Sequence, residues 1–344
     1  MRKVDVTVDV TDAVHLGQTL NTVATVCLPD TVPADPVVCF AFPGGGYSRR
    51  YFTFDVTGGD EGSQADWHTQ RGWIFVACDH LYCGDSDQPA DPSALTFEHL
   101  AGANHATVGH ILGLLADGGL VGGLAPVRTP TVIGIGQSMG GATLVLQQGQ
   151  RSTFTGIGVL GWSAMHSVNW TPPGSPKGPA RYFPRGTNVG ALTPEVFTEA
   201  MPEMTLDEKG MPAAVAAFHF DGEPRDIVEA DMIDYPRRRG NPPVWASTTI
   251  PPCSMTMMSP GAVAAEAASI DVPVLIAVGE RDCCPDPMFE PKGYPRSSDV
   301  TVYICPQMAH MHNFAVTRTR LWARIQAWGD GIWAQRRPVC QSTK

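Results

Sequence analysis

The pentapeptide Gly136-Gln137-Ser138-Met139-Gly140, followed by Gly141, constrains this chain more than any other feature. An apolar run, Pro130-Thr131-Val132-Ile133-Gly134-Ile135, precedes it, and residues 139–150 behind it have helical character. A G-x-S-x-G pattern between strand and helix demands a very sharp turn, and glycines two before and two after the serine let the backbone fold that tightly. Such a turn lifts the hydroxyl out of the sheet, and the helix N-terminus behind it favours developing negative charge. Ser138 is therefore the candidate nucleophile. The overlapping Gly134-Ile135-Gly136-Gln137-Ser138-Met139 begins like a dinucleotide-binding loop. Met139 stands where its third glycine belongs and the strand is not the first of the chain, so nucleotide binding is not expected.

The rest of the pattern supplies a setting for that turn. Residues 4–10 alternate, residues 22–28 are β-branched, and residues 37–42 form a continuous apolar run ending at Pro43-Gly44-Gly45-Gly46. Further runs at 72–78, 156–160, 272–278 and 300–304 read as strands, the continuous ones as strands buried on both faces. Helical spacing at 96–115 and again at 317–335, where Leu321, Ile325, Trp328 and Ile332 share one side, alternates with them. Strand–helix alternation implies a parallel α/β sheet. Between residues 163 and 269 the alternation breaks into a Pro- and Met-rich stretch with short helical pieces such as 211–220. The expectation is a core of residues 1–162 and 270–344 with 163–269 inserted as a cap or lid. Met201, Met204, Met211, Met255, Met257 and Met258, with Trp162, Trp170, Phe218 and Trp245, are candidates to line an apolar substrate wall, or simply to form the core of that cap.

A serine hydroxyl needs a base, and the base needs an orienting acid. The strand at 300–304 leads into Met308-Ala309-His310-Met311-His312, which offers two bases; His310 is preferred and His312 is the alternative. The strand at 272–278 ends in Gly279-Glu280-Arg281-Asp282, so Asp282 is the candidate acid, with Glu280 and Asp286 behind it. Amide donors for a tetrahedral oxyanion are expected from Met139 and from the glycine loop, at Gly45, Gly46 or Tyr47.

Four elements resemble the α/β-hydrolase superfamily: the Gly44-Gly45-Gly46 loop, the Ser138 turn, the Gly279-Glu280-Arg281-Asp282 strand end and the Met308-Ala309-His310 loop. Asp79-His80-Leu81-Tyr82-Cys83-Gly84-Asp85-Ser86-Asp87 resembles that superfamily's D-x-x-G-x-G-x-S-D loop. The resemblance departs at Pro43, where many lipases and esterases carry His, and at Gln137. It implies an α/β-hydrolase fold with an eight-stranded, mostly parallel sheet and the nucleophile–acid–base order Ser138, Asp282, His310. The expected activity is hydrolysis of an ester or lactone through an acyl-serine, and a substrate wall lined by the methionines and aromatics of residues 163–269 would suit a medium-sized, fairly hydrophobic one. Acyl transfer is the alternative, since Ser138-Met139-Gly140-Gly141 also resembles homoserine-type acyltransferases, and a non-catalytic binding protein is the remaining one.

Composition narrows the partners. A net charge of −10 argues against nucleic acid, and the basic runs Pro236-Arg237-Arg238-Arg239 and Arg336-Arg337 read as solvated surface. The N-terminal residues lack the apolar core of a signal peptide and no apolar run can span a bilayer, so a cytoplasmic protein without membrane contact is expected. Nine scattered cysteines read as free thiols; no metal or cofactor is called for, and the sequence does not determine an oligomeric state.

Overall fold

The computed structural model describes residues 1–56, 58, 60–173, 181–192, 205–236, 238 and 240–337. Its centre is one eight-stranded sheet, ordered β1-β2-β4-β3-β5-β6-β7-β8. The strands are β1 (Arg2–Asp9), β2 (Asn21–Leu28), β3 (Val37–Phe42), β4 (Ile74–Cys78), β5 (Thr131–Gln137), β6 (Gly156–Leu160), β7 (Val274–Gly279) and β8 (Val300–Cys305). β2 runs antiparallel to β1 and β4, and every other neighbour pair is parallel. Helices α1 (Thr11–Val14), α2 (Arg50–Thr53), α3 (Gln64–Thr69), α4 (Phe97–Asp117), α5 (Met139–Arg151), α6 (Val215–Phe218), α7 (Arg225–Met232), α8 (Ala264–Ser269) and α9 (Arg318–Arg336) accompany it.

The continuous apolar runs have a direct physical cause. Side chains alternate across a strand, so a strand covered on both sides must be apolar at every position. On β3, Val38, Phe40 and Phe42 enter one core with α4 and α5, while Val37, Cys39 and Ala41 enter the other with α9. β1 lies at the sheet's edge, and its outer residues alternate between exposed and buried, the sequence pattern of residues 4–10. Leu321, Ile325, Trp328 and Ile332 of α9 are all buried in the second core. Among the described residues no helix is long and apolar enough to cross a membrane.

The stretch between β6 and β7 departs from expectation in two places. The helix expected at 211–220 shrinks to Val215–Phe218 because Pro212 follows Met211 and an isolated bridge pairs Leu206 with Pro212, holding that segment extended. The basic run at 236–239 is not uniformly solvated: Arg238 is 2% exposed, since Asp231 and a backbone carbonyl bind its guanidinium. Arg237, Arg239, Met201 and Met204 lie outside the described residues.

Candidate active site

Parallel strands place all the candidate residues along one edge, because β3, β5, β7 and β8 each end there. Ser138 forms the corner between β5 and α5 with φ 55° and ψ −119°, a conformation that a side-chain-bearing residue occupies only under constraint. The flanking glycines are that constraint. A Cβ on Gly136 would drive into the Gly140 carbonyl, and one on Gly140 into the Phe42 carbonyl, so only hydrogen fits at either place. Trp162, a candidate for either a substrate wall or core, is buried in the core behind α5.

At the end of β7, Asp282 accepts a hydrogen bond from His310 Nδ1 at 2.7 Å through Oδ1 and one from His312 Nε2 at 2.7 Å through Oδ2. The amides of Cys283 and Gly279 add one bond to each oxygen, both at 2.8 Å. Four donors thus use the carboxylate's full accepting capacity. Burial alone would raise the Asp282 pKa, but the facing His310 and His312 outweigh it and hold the carboxyl well below the usual range. Glu280 instead accepts from the Gln307 amide at the surface, away from the histidines.

The two histidines are not equivalent. With Nδ1 on Asp282, His310 turns Nε2 toward β5, where it lies 3.5 Å from Gln137 Nε2. Gln137 Nε2 also donates to the His310 carbonyl at 2.9 Å. His312 uses Nε2 on Asp282, and its buried Nδ1 has no partner among the described residues. Ser138 Oγ makes no hydrogen bond among the described residues, so serine and base share one edge without the bond between them being formed. Gly161 closes the back of the group: a Cβ there would lie 3.2 Å from Asp282 Oδ1, His310 Nδ1 and His312 Cε1. The His310 loop is tied to α6 through His310 N–H to Ala217 O at 3.1 Å and Met311 N–H to Phe218 O at 2.8 Å. The Phe218 ring stands edge-on to His310 at 5.3 Å.

The glycine loop after β3 abuts the Ser138 corner. A Cβ on Gly44 would lie 3.2 Å from Ser138 Cβ, and one on Gly45 3.7 Å from Met139 Sδ. The amides of Gly45 and Gly46 donate to no acceptor among the described residues. Met139 opens α5, where an amide has no partner within its own helix.

Beneath that loop lies a buried cluster that sequence reading missed. Asp231 Oδ2 accepts from Tyr47 OH at 2.6 Å and from His219 Nε2 at 3.1 Å; Oδ1 accepts from Trp245 Nε1 at 2.7 Å and from Arg238 at 2.9 Å. His219 Nδ1 donates to Glu223 at 2.6 Å. Burial disfavours charge on His219, but the bonds to Asp231 and Glu223 outweigh it and push its pKa up to about 9. His219 and Arg238 therefore face two carboxylates as a neutral set of four charges. The only available signal was the four-residue spacing of His219 and Glu223, which is too common to act on.

Among the described residues one group of His, Cys, Asp and Glu donors is close enough to share a metal ion: Asp282, Cys283 and His310, within 4.8 Å. The Cys283 thiol donates to the Gly161 carbonyl at 2.8 Å, and burial pushes its pKa far up, away from the thiolate a metal needs. The eight described cysteines are free and buried.

No protein-family model and no curated protein matches the sequence. Solved structures do resemble the chain. A peroxisomal α/β-hydrolase of Saccharomyces cerevisiae aligns with a TM-score of 0.59 at 12% identity, over 98% of this chain and 91% of its own. A thermophilic esterase of Thermogutta terrifontis aligns with 0.59 at 12% identity, over 95% and 98%. A proline iminopeptidase of Mycobacterium smegmatis aligns with 0.58 at 13% identity, over 96% and 99%. With its sheet order, its strained serine corner and these structural relatives, the chain has the α/β-hydrolase fold.

Proposed function

We propose that this chain is a serine hydrolase that cleaves a carboxylic ester or lactone through an acyl-serine. The observation that carries the reading is the pair His310–Asp282, bonded at 2.7 Å on the same sheet edge as the strained Ser138 corner. In this reading the Ser138 side chain turns Oγ toward His310 Nε2. Ser138 then attacks the substrate carbonyl carbon while His310 takes its proton, and Asp282 orients the ring and stabilises the imidazolium. The amides of Met139, Gly45 and Gly46 receive the oxyanion. Collapse of the tetrahedral intermediate expels the alkoxide, which His310 protonates; water, activated by the same base, releases the acid.

Residues 163–269 act as the cap, and Phe218 beside His310 belongs to the substrate wall. A site bordered by Phe218, Ile250 and Met139 suits a medium-sized apolar acyl group better than a charged one. The test is turnover of p-nitrophenyl esters from acetate to decanoate by wild type and Ser138→Ala. Turnover that peaks at intermediate chain length and vanishes in the variant supports the reading. Activity confined to charged esters would overturn the substrate class, and activity persisting in Ser138→Ala would overturn the nucleophile.

A further inference from the structure

Every carbonyl of the loop at residues 43–46 is engaged. His80 Nε2–H donates to Pro43 O at 3.0 Å, and Tyr47 N–H donates to Gly44 O at 3.2 Å. Tyr235 OH donates to Gly45 O at 3.1 Å. Gly46 O accepts from the Arg238 guanidinium and from Ser247 N–H, the latter at 2.9 Å. A trans peptide is planar, so its N–H points opposite to its C=O. Holding one carbonyl therefore aims the amide of the next residue. Tyr235 on Gly45 O fixes the direction of the Gly46 amide, and Tyr47 N–H on Gly44 O fixes that of the Gly45 amide. Those two amides, like that of Gly44, have no acceptor among the described residues.

Three of these holding groups, Tyr235, Arg238 and Ser247, come from the stretch between β6 and β7 rather than from the sheet that carries the loop. They are not loosely placed. The Arg238 guanidinium lies 4.7 Å from the ring centres of both Tyr47 and Tyr235, and Asp231 holds it from behind. Tyr47 is anchored to the same carboxylate. Gly46, at φ 82°, needs to be glycine, and a Cβ there would meet the Tyr235 ring at 3.3 Å, so the loop and its support are fitted to one another.

We propose that Tyr235 and Arg238 are positioning residues for the oxyanion site: the inserted stretch aims the loop amides at the developing negative charge as well as covering the substrate. The proposal rests on the serine-hydrolase reading above. Neither residue touches substrate: Tyr235 acts through Gly45 O on the Gly46 amide, and Arg238 acts through Gly46 O on the Tyr47 amide, whose bond to Gly44 O in turn sets the Gly45 amide.

The test compares kcat/KM for an aryl ester with kcat/KM for the matching thionoester, using the full chain as wild type, Tyr235→Phe and Arg238→Lys, with a melting temperature for each. A thiolate-like sulfur accepts hydrogen bonds poorly, so the ester-to-thionoester ratio reports the oxyanion donors and cancels any loss of folded protein. Outright loss of one such donor costs ~10²–10³ in rate. Misaiming one should lower the ratio by about tenfold in Tyr235→Phe, which removes a single hydroxyl and keeps the ring packing. Arg238→Lys keeps the charge but loses the planar fork, and should lower the ratio in the same direction. A Tyr235→Phe ratio equal to wild type on an active enzyme overturns the proposal alone; should that variant not fold, the Arg238→Lys ratio decides in the same way. Absence of ester turnover by wild type overturns the hydrolase reading and the proposal with it.

Discussion

Raising the pH from 6.5 through 9 should remove about 3 kcal/mol of stability that depends on His219. His219 has 5% of its surface exposed and donates from both ring nitrogens, to Glu223 at 2.6 Å and to Asp231 at 3.1 Å. A ring donating from both nitrogens is the cation. Its pKa rises from 6.5 in the unfolded chain to about 9 in the fold. At ~1.4 kcal/mol per pH unit, that gap corresponds to about 3 kcal/mol. Because the folded value is the higher one, the stabilisation is fully present below pH 6.5 and is lost as pH rises through 9. The assay is urea unfolding of wild type and His219→Gln between pH 6.5 and 9.5. At pH 6.5 the variant should be less stable by ~3–5 kcal/mol, since removing one partner leaves buried charge uncompensated. The wild-type advantage should then shrink steadily with pH. A difference that stays constant across this range would refute a cationic His219 held between two carboxylates.

Three further outcomes follow from the geometry around Asp282. Asp282→Asn should lower kcat by ~10⁴, because an amide offers one accepting oxygen where four donors converge and the His310 ring loses its working tautomer, and the buried donor left unmatched should also lower the melting temperature; steady-state kinetics beside a thermal melt reads both. His312→Gln should lower kcat only ~10–100-fold, the scale of one charge-assisted hydrogen bond, whereas His310→Gln should match Asp282→Asn; equal losses in the two histidine variants would contradict their separate roles. Gly161→Ala should cost ~1–2 kcal/mol of stability for its left-handed φ of 56°, and it should also cut kcat by pushing a methyl against Asp282 and His310, measured by denaturant unfolding and kinetics together.

Much of this architecture could be read in advance because its cause is local. Strands buried on both faces are written as unbroken apolar runs, and β3, β5 and β7 lie where those runs lie. The Ser138 corner was legible because both glycines that the turn requires, Gly136 and Gly140, flank the serine within one pentapeptide. Asp282, His310 and His312 stand together because Asp282 follows the carboxyl end of β7 and both histidines follow that of its parallel neighbour β8. The sequence preferred His310 over His312 but did not show that both bond Asp282, since that depends on how one short loop turns. The Asp231 cluster was invisible for a different reason. Tyr47 and Asp231 are 184 residues apart, and Arg238 reaches Gly46 across 192 residues. No local pattern encodes such a contact, and in sequence Arg238 looked like one member of a solvated basic run. The short helix at Val215–Phe218 was overestimated because apolar spacing cannot register an extended pairing such as that of Leu206 with Pro212.

The central claim is that Ser138 is the nucleophile of an acyl-transfer site. Intact-mass spectrometry after treatment with a fluorophosphonate, on wild type and Ser138→Ala, tests it most directly. The account predicts one adduct on wild type, none on the variant, and loss of aryl-ester turnover in step with labelling. A folded wild type that takes up no adduct, or a Ser138→Ala variant that labels as wild type does, would contradict it.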